Sequence, residues 1–323
     1  MKRALALWLA WACCLIGPLA VHADTFPSRT VTLVVPFAAG GSTDLLGRSL
    51  AEGLSREWKQ AVIVENKPGA GTSLAGEYVA RAKPDGHTLL LASTTTMVLN
   101  PLMSNKLRYS PAEDLAPVSM LAEAPMVMLV NSRSGVNQLN EWISMAKKKP
   151  HQLNFGSAGV GSSIHLTGEL FKSMAKIDMV HIPYKGSQPA LTALMADEIQ
   201  IYFDLLPSAR PFIDSGQLKA LAVTSSHALP SLPHVKSFEE LGFKDFVVSP
   251  YFYLMVPSHT PAALVEKINA DVTKVLSNPN LQIKFSEQSM FLKASSPEAV
   301  KAHIAKSKSI WQPLIQARSI TLD

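Results

Sequence analysis

After residue 23 this 323-residue sequence has no cysteine; its two are Cys13 and Cys14. A chain cleaved after residue 23 has no disulfide, no thiol nucleophile and no thiolate metal ligand. Its stability must come from the core alone, and about 300 residues suffice for that. The nine histidines never cluster at ligand spacing, and no His-Glu-x-x-His occurs. The nucleophile elbow Gly-x-Ser-x-Gly is missing: Phe155 stands two before Ser157, and Val160 two before Ser162. Without a Gly-Lys-Ser/Thr there is no Walker loop either. These absences argue against a hydrolase, the competing class, and no cofactor or metal is expected.

Charge of one sign is also scarce. The net charge is +5, and removing Lys2 and Arg3 leaves 28 basic residues against 25 acidic ones. The densest basic run, Lys147-Lys148-Lys149, closes a helix pattern, where cations suit the dipole. No basic stripe carries interleaved aromatics, so nucleic acid is not an expected partner. Only the N-terminus holds a long hydrophobic run. There, Lys2 and Arg3 precede an apolar Ala4–Ala20 stretch broken by Gly17-Pro18, and Val21-His22-Ala23 follows. This pattern reads as a secretory signal over 1–23, cut after Ala23. The run is too short and punctuated for a membrane anchor, which needs about 20 apolar residues. The chain is therefore expected to be exported from the cytoplasm.

Strand and helix patterns alternate through the rest. Val31–Val35 reads as a strand, followed by a helix to Trp58 whose apolar face is Leu45, Leu46, Leu50 and Leu54. Later strands are expected at 61–65, 88–92, 126–130, 153–156, 179–182, 199–203, 218–223 and 251–256, with helices after most of them. Such alternation predicts an α/β fold with parallel sheets. A helix over 297–315 has Ser296 as N-cap and Pro297 at its first position. Apolar crossings near 124–130 and 251–256 fit a two-lobe plan. Residues 24–124 with 245–323 then form lobe 1, and 125–244 lobe 2. The C-terminal helices are expected to pack on lobe 1.

The most informative run is Val34-Val35-Pro36-Phe37-Ala38-Ala39-Gly40-Gly41-Ser42-Thr43-Asp44. A strand enters a Gly-Gly turn that opens a helix. First-turn amides have no intrahelical acceptor and carry partial positive charge, which suits a carboxylate. A second loop, 154–163, occupies the same kind of position in the second half. It reads Asn-Phe-Gly-Ser-Ala-Gly-Val-Gly-Ser-Ser. Two such loops facing across a cleft would hold an acid from both sides. A third Gly-rich turn, Pro68-Gly69-Ala70-Gly71, is half a dinucleotide fingerprint, with Leu74 where the last glycine belongs. Asp44 is expected to brace the first loop from behind. Arg48 is expected to face solvent, and His165 and His181 to be structural.

Several motifs together resemble the Bug-type periplasmic solute-binding proteins of tripartite tricarboxylate transporters. They are the 34–44 run, Val-Glu-Asn-Lys-Pro-Gly-Ala-Gly at 64–71, Pro-Asp-Gly-His-Thr-Leu-Leu at 84–90, and the 154–162 loop with His165-Leu166. His-Ile-Pro-Tyr-Lys-Gly at 181–186, Pro189-Ala190 and Phe203-Asp204 complete the series. The resemblance implies a two-lobe type II periplasmic binding fold, a Venus flytrap with a hinge, and a small carboxylate ligand. It implies binding by amides and ordered water at Phe37, Ala38, Ala39, Gly40, Gly41 and Thr43, and by Ser157, Ala158, Gly161 and Ser162. Ser93 and Thr94, with Thr95 beside them, would floor the cleft, and Tyr184 would line lobe 2. Asp204 would either pair with the ammonium of an amino-acid ligand or satisfy amides at a strand end. The implied partners are the permease subunits of a tripartite transporter, or a sensor kinase that reads the liganded form. A monomer is expected.

Overall fold

The computed structural model describes residues 26–317 and 320–322. The expected signal segment, 1–23, lies outside the described residues. Two sheets divide the chain. The first holds β1 (Val31–Val35), β2 (Val62–Asn66), β3 (Thr88–Ser93), β4 (Leu115–Glu123), β10 (Tyr251–Pro257) and β11 (Phe291–Leu292), in the order β11-β4-β10-β3-β1-β2. The second holds β5 (Met126–Asn131), β6 (Asn154–Ser157), β7 (Val180–Pro183), β8 (Ile201–Leu205) and β9 (Leu218–Val223), in the order β7-β6-β8-β5-β9.

The expected parallel pairing forms only in part. β1 runs parallel to β2 and β3, and β6 parallel to β7 and β8. β10 runs antiparallel to β3 and β4, and β5 antiparallel to β8 and β9. The cause is the crossing between lobes. A strand arriving from the other lobe enters its sheet where the neighbouring strands end, so it must run against them. Phe252 pairs with Ser93, at the end of β3, and Met126 with Leu205, at the end of β8.

The two crossings lie side by side. Ala124 N donates to Pro250 O at 3.1 Å. Thr224 ties both strands: its hydroxyl accepts from Met126 N at 2.8 Å and donates to Val248 O at 2.6 Å. Before the return, Phe238 and Phe246 stack at 4.2 Å in an aromatic core with Phe171 and Phe203.

Helices cover both sheets. Those carrying the argument are α1 (Ser42–Trp58), α2 (Ser73–Ala80), α3 (Asn100–Met103), α4 (Leu139–Lys148), α5 (Ser163–Ala175), α6 (Ser187–Met195) and α7 (Leu206–Asp214). Then come α8 (Ala262–Leu276), α9 (Pro279–Ser286) and α10 (Pro297–Ala317). In α1, Leu46, Leu50 and Leu54 are buried as their spacing requires, whereas Leu45 is 38% exposed and leaves the expected face. α8 packs on α1 and β4, and α10 packs on β4, which puts the C-terminal helices on the first lobe. Ser296 caps α10 by accepting from Ala299 N at 3.2 Å.

Candidate functional site

The first loop joins β1 to α1 at the sheet end that faces the other lobe. Gly40 sits at φ 84°, a conformation that side-chain-bearing residues rarely take. Gly41 has an ordinary φ of −77°, so its bare Cα serves space instead. A Cβ there would lie 3.5 Å from the Ser187 Cβ across the cleft. The first intrahelical bond of α1 runs from Leu45 N to Gly41 O. The amides of Ser42, Thr43 and Asp44 precede it and point out of the helix end.

Asp44 braces this loop from behind, as expected. Its carboxylate accepts from Gly40 N at 2.9 Å, Asn66 Nδ2 at 2.9 Å and Arg48 Nε at 2.8 Å. Asn66 also donates to Phe37 O at 3.0 Å. Burial works against the Asp44 charge, but the donors from Arg48, Gly40 and Asn66 outweigh it and hold the carboxyl below its usual range. Arg48 is therefore not a free surface cation. It is half exposed and tied to Asp44, one turn back on α1.

The second loop, between β6 and α5, spends most of its amides on itself. Gly159 N donates to Ser157 Oγ, Gly161 N to His165 Nδ1 and His165 N to Ser162 Oγ. Ser162 N donates to Gly159 O, and Ser163 N crosses to Thr95 Oγ1 at 3.0 Å. The loop is thus a rigid wall more than a second anion cradle. Its stiffening comes from two histidines. His165 and His181 stack at 3.8 Å, with Phe155 against His181 at 4.9 Å. His181 Nε2 meets Ser157 Oγ at 2.6 Å. Burial, then the neighbouring His165, pushes His181 down to about 3, and burial lowers His165 too. Both rings stay neutral at pH 7, in keeping with a structural role.

The first loop meets the turn between β7 and α6 across the cleft. Ala38 N donates to Lys185 O at 3.0 Å, and Gln188 Nε2 to Gly40 O at 2.8 Å. Deeper, Ser42 Oγ reaches Ser208 Oγ at 2.8 Å and accepts from Ser208 N at 3.0 Å. Ser208 in turn donates to Asp204 Oδ2 at 2.5 Å, while Ser187 donates to Asp204 Oδ1 at 2.7 Å. Asp204 is fully buried. Burial pushes its carboxyl up to about 7, although hydrogen bonds from Ser208, Ser187 and the Leu205 backbone pull the other way.

These elements enclose a chamber of about 40 Å³. Of the residues singled out in the sequence, Phe37, Gly41, Thr43, Ser93, Ala158 and Ser162 line it, and so does Thr95. The others do different work. Ala38 and Gly40 make the lobe contacts just described, and Ala39 is exposed. The Thr94 hydroxyl accepts from Tyr251 N at 2.9 Å, fastening β10 to the end of β3. Ser157 partners His181. Gly161 packs under Leu322, whose Cδ2 would lie 2.6 Å from a Cβ there. Asp204 stands one serine behind the chamber. Ser42 and Ser163, which lie inside the two expected loops, line the chamber too, and Ser187 lines it unforeseen, as do Met126, Pro250 and Phe252 from the crossings. No charged side chain lines it.

Tyr184 faces a larger groove of about 860 Å³ beside the chamber, between the turn at 69–74, the segment 104–109 and the second loop. The third Gly-rich turn belongs here. Gly71 has φ 56°, and a Cβ on it would lie 2.5 Å from Val160 O. That glycine allows the lobes to touch; the turn is a packing device and not half of a nucleotide fingerprint. Among the described residues no group of three or more His, Cys, Asp or Glu side chains forms a metal cluster, and no helix is long and apolar enough to cross a membrane.

A family model described as "Tripartite tricarboxylate transporter family receptor" matches residues 46–320. The protein BugT of Bordetella pertussis is 32% identical over 297 residues, which are 92% of this chain and 91% of BugT. Among solved structures, the periplasmic binding protein BugD is 30% identical with a TM-score of 0.88, over 92% of this chain and 99% of that one. An R. palustris protein solved with adipate is 31% identical with a TM-score of 0.89, over 92% and 99%. MatC from Rhodopseudomonas palustris, solved with bound malate, is 31% identical with a TM-score of 0.85, over 90% and 100%.

Proposed function

The chain belongs to the tripartite tricarboxylate transporter receptor family, and on that premise we propose that it is a periplasmic receptor that captures a small carboxylate between its lobes and delivers it to a membrane permease. The lobes are 24–124 with 245–323 and 125–244, and they close about the paired crossings. The observation that carries this reading is the open N-terminus of α1 at the wall of a chamber built from both lobes. The amides of Ser42, Thr43 and Asp44 offer donors and the positive end of a 17-residue helix. Relatives solved with malate and adipate support the same ligand class.

The chamber wall has no arginine or lysine, so the acid is held by neutral donors. Hydrogen bonds to a charged group contribute roughly 1.5–3 kcal/mol each. Three or four of them, less ordering costs, give about −8 kcal/mol, or micromolar affinity. A chamber of about 40 Å³ is little more than one water molecule's share of liquid volume, ~30 Å³. It admits the head of an acid; the remainder needs the lobes to part or must extend outward. Such a receptor serves as a carrier and carries out no chemistry on its ligand.

The test is a thermal-shift panel of mono-, di- and tricarboxylates on protein that has been unfolded and refolded to strip bound solute. Ligand at 100 times its dissociation constant should stabilise by about 2.7 kcal/mol, raising Tm by a few degrees. A panel without a single shift contradicts the reading.

A further inference from the structure

The chamber contains an asymmetry in where its hydroxyl protons point. Ser187 Oγ donates to Asp204 Oδ1 at 2.7 Å. It also accepts from the Tyr202 hydroxyl at 3.4 Å. A serine hydroxyl has one proton and two lone pairs. Ser187 has thus spent its proton and one lone pair, and retains one lone pair. Ser42 stands in the same position. Its proton goes to Ser208 Oγ at 2.8 Å, and Ser208 passes its own to Asp204 Oδ2 at 2.5 Å. One lone pair of Ser42 takes Ser208 N at 3.0 Å, again leaving a single lone pair. Ionised, as it is above about pH 7, this single buried carboxyl draws the protons of two chamber serines away from the chamber.

The consequence is a pair of hydroxyls, Ser42 and Ser187, that accept and do not donate, set against a helix end that donates and does not accept. The first-turn amides suit a carboxylate. The serine pair cannot hydrogen-bond a carboxylate oxygen; it can take an O–H or N–H. Because the chamber has room only for the head of an acid, that donor must sit close to the carboxylate. Resting on the carboxylate reading above, we propose that Ser42 and Ser187 select acids carrying a hydroxyl or ammonium on the carbon next to the bound carboxylate. Asp204 acts through them as a positioning residue. An acid lacking the donor leaves two buried lone pairs unpaired, a penalty the site exacts on every such ligand.

The experiment is calorimetric titration of the refolded protein at pH 8.5, where Asp204 is ionised, with matched pairs of three to six carbons: propionate and lactate, succinate and malate, succinate and aspartate, adipate and 2-hydroxyadipate. In every pair that binds, the substituted acid should be favoured by about tenfold or more, the equivalent of one well-made hydrogen bond. Ser187→Ala should bring that ratio close to one. Asp204→Asn, which replaces one acceptor by a donor and releases the Ser187 proton, should lower the same ratio. A merely structural Asp204 would weaken both members of a pair alike and leave the ratio unchanged, which would overturn its positioning role. Equal affinity within each pair overturns the inference while the carboxylate reading stands. Absence of binding by every acid overturns the carboxylate reading, and the inference falls with it.

Discussion

Asp204 is a buried carboxylate whose partners are all neutral: Ser187, Ser208 and the Leu205 backbone. Nothing cationic repays its desolvation, so its carboxyl is pushed from 3.8 up to about 7. The effect on stability has the opposite sign to that of a salt-bridged aspartate. Between about pH 4 and pH 7 the folded state keeps the proton and the unfolded chain has lost it. Stability therefore falls as pH rises through that window, by up to about 1.4 kcal/mol per pH unit from this one group. Tyr202, on the same strand, is raised well above its ordinary value by burial and by Asp204, and stays neutral throughout. Urea unfolding of wild type and Asp204→Asn at pH 4, 5, 6 and 7 checks this. The wild type should lose ground steadily to the variant, and parallel curves would contradict the account. Asp204 also shows what a sequence withholds. Its two roles, ammonium partner or strand-end acceptor, could not be separated, because both depend on which hydroxyls the fold brings within reach.

At the scale of elements, the proposed binding rests on the junction of β1 and α1. Gly41 is its most telling position, since a backbone at φ −77° tolerates any residue. An alanine Cβ would make ordinary contact with Ser187, but a longer side chain would occupy the gap between the lobes. Gly41→Leu should therefore weaken carboxylate binding by about 100-fold or more, the ~3 kcal/mol of one or two lost charged hydrogen bonds. Its Tm without ligand should stay within a few degrees of wild type, because no core contact is lost. A variant that binds normally would show that closure does not bring Ser187 against this loop.

That junction was legible in the sequence, because a strand, a Gly pair and a helix start stand next to one another along the chain. Half of the second loop's expected role was not. The glycines at 159 and 161 do turn the strand into α5, but the amides they free are consumed by Ser157, Ser162 and His165, and such local bonds leave no periodic signal. Ser187 and Ser208 went unseen for a different reason. Ser187 lines the chamber from the start of α6 and Ser208 stands behind it at the start of α7, and only tertiary packing brings them to the first loop. β4 was missed because Pro117 punctuates its apolar run. The structure accommodates that proline at a register shift opposite Leu254 and Met255, where a ladder donor is not required. α9 was missed despite a plain signal, since Asn278 caps it through Asn280 N and Leu281 N ahead of Pro279.

At the scale of the whole molecule, two mixed sheets share a pair of crossings, and everything that faces the cleft comes from the ends of strands nearest those crossings. Apart from the short edge strand β11, pairing is antiparallel where a strand arrives from the other lobe, so sheet direction and hinge position are linked by topology. In the proposed closed state a donating helix end that carries Ser42 on one lobe meets Ser187, anchored by Asp204, on the other. The central claim is that a carboxylate binds at the first turn of α1. The most direct test is an amide chemical-shift titration of refolded, 15N-labelled protein with the tightest carboxylate of the panel. The amides of Ser42, Thr43 and Asp44 should move downfield together and saturate with the calorimetric affinity. Shifts confined to the larger groove, at 69–74 and 104–109, with the α1 amides unmoved, would contradict it.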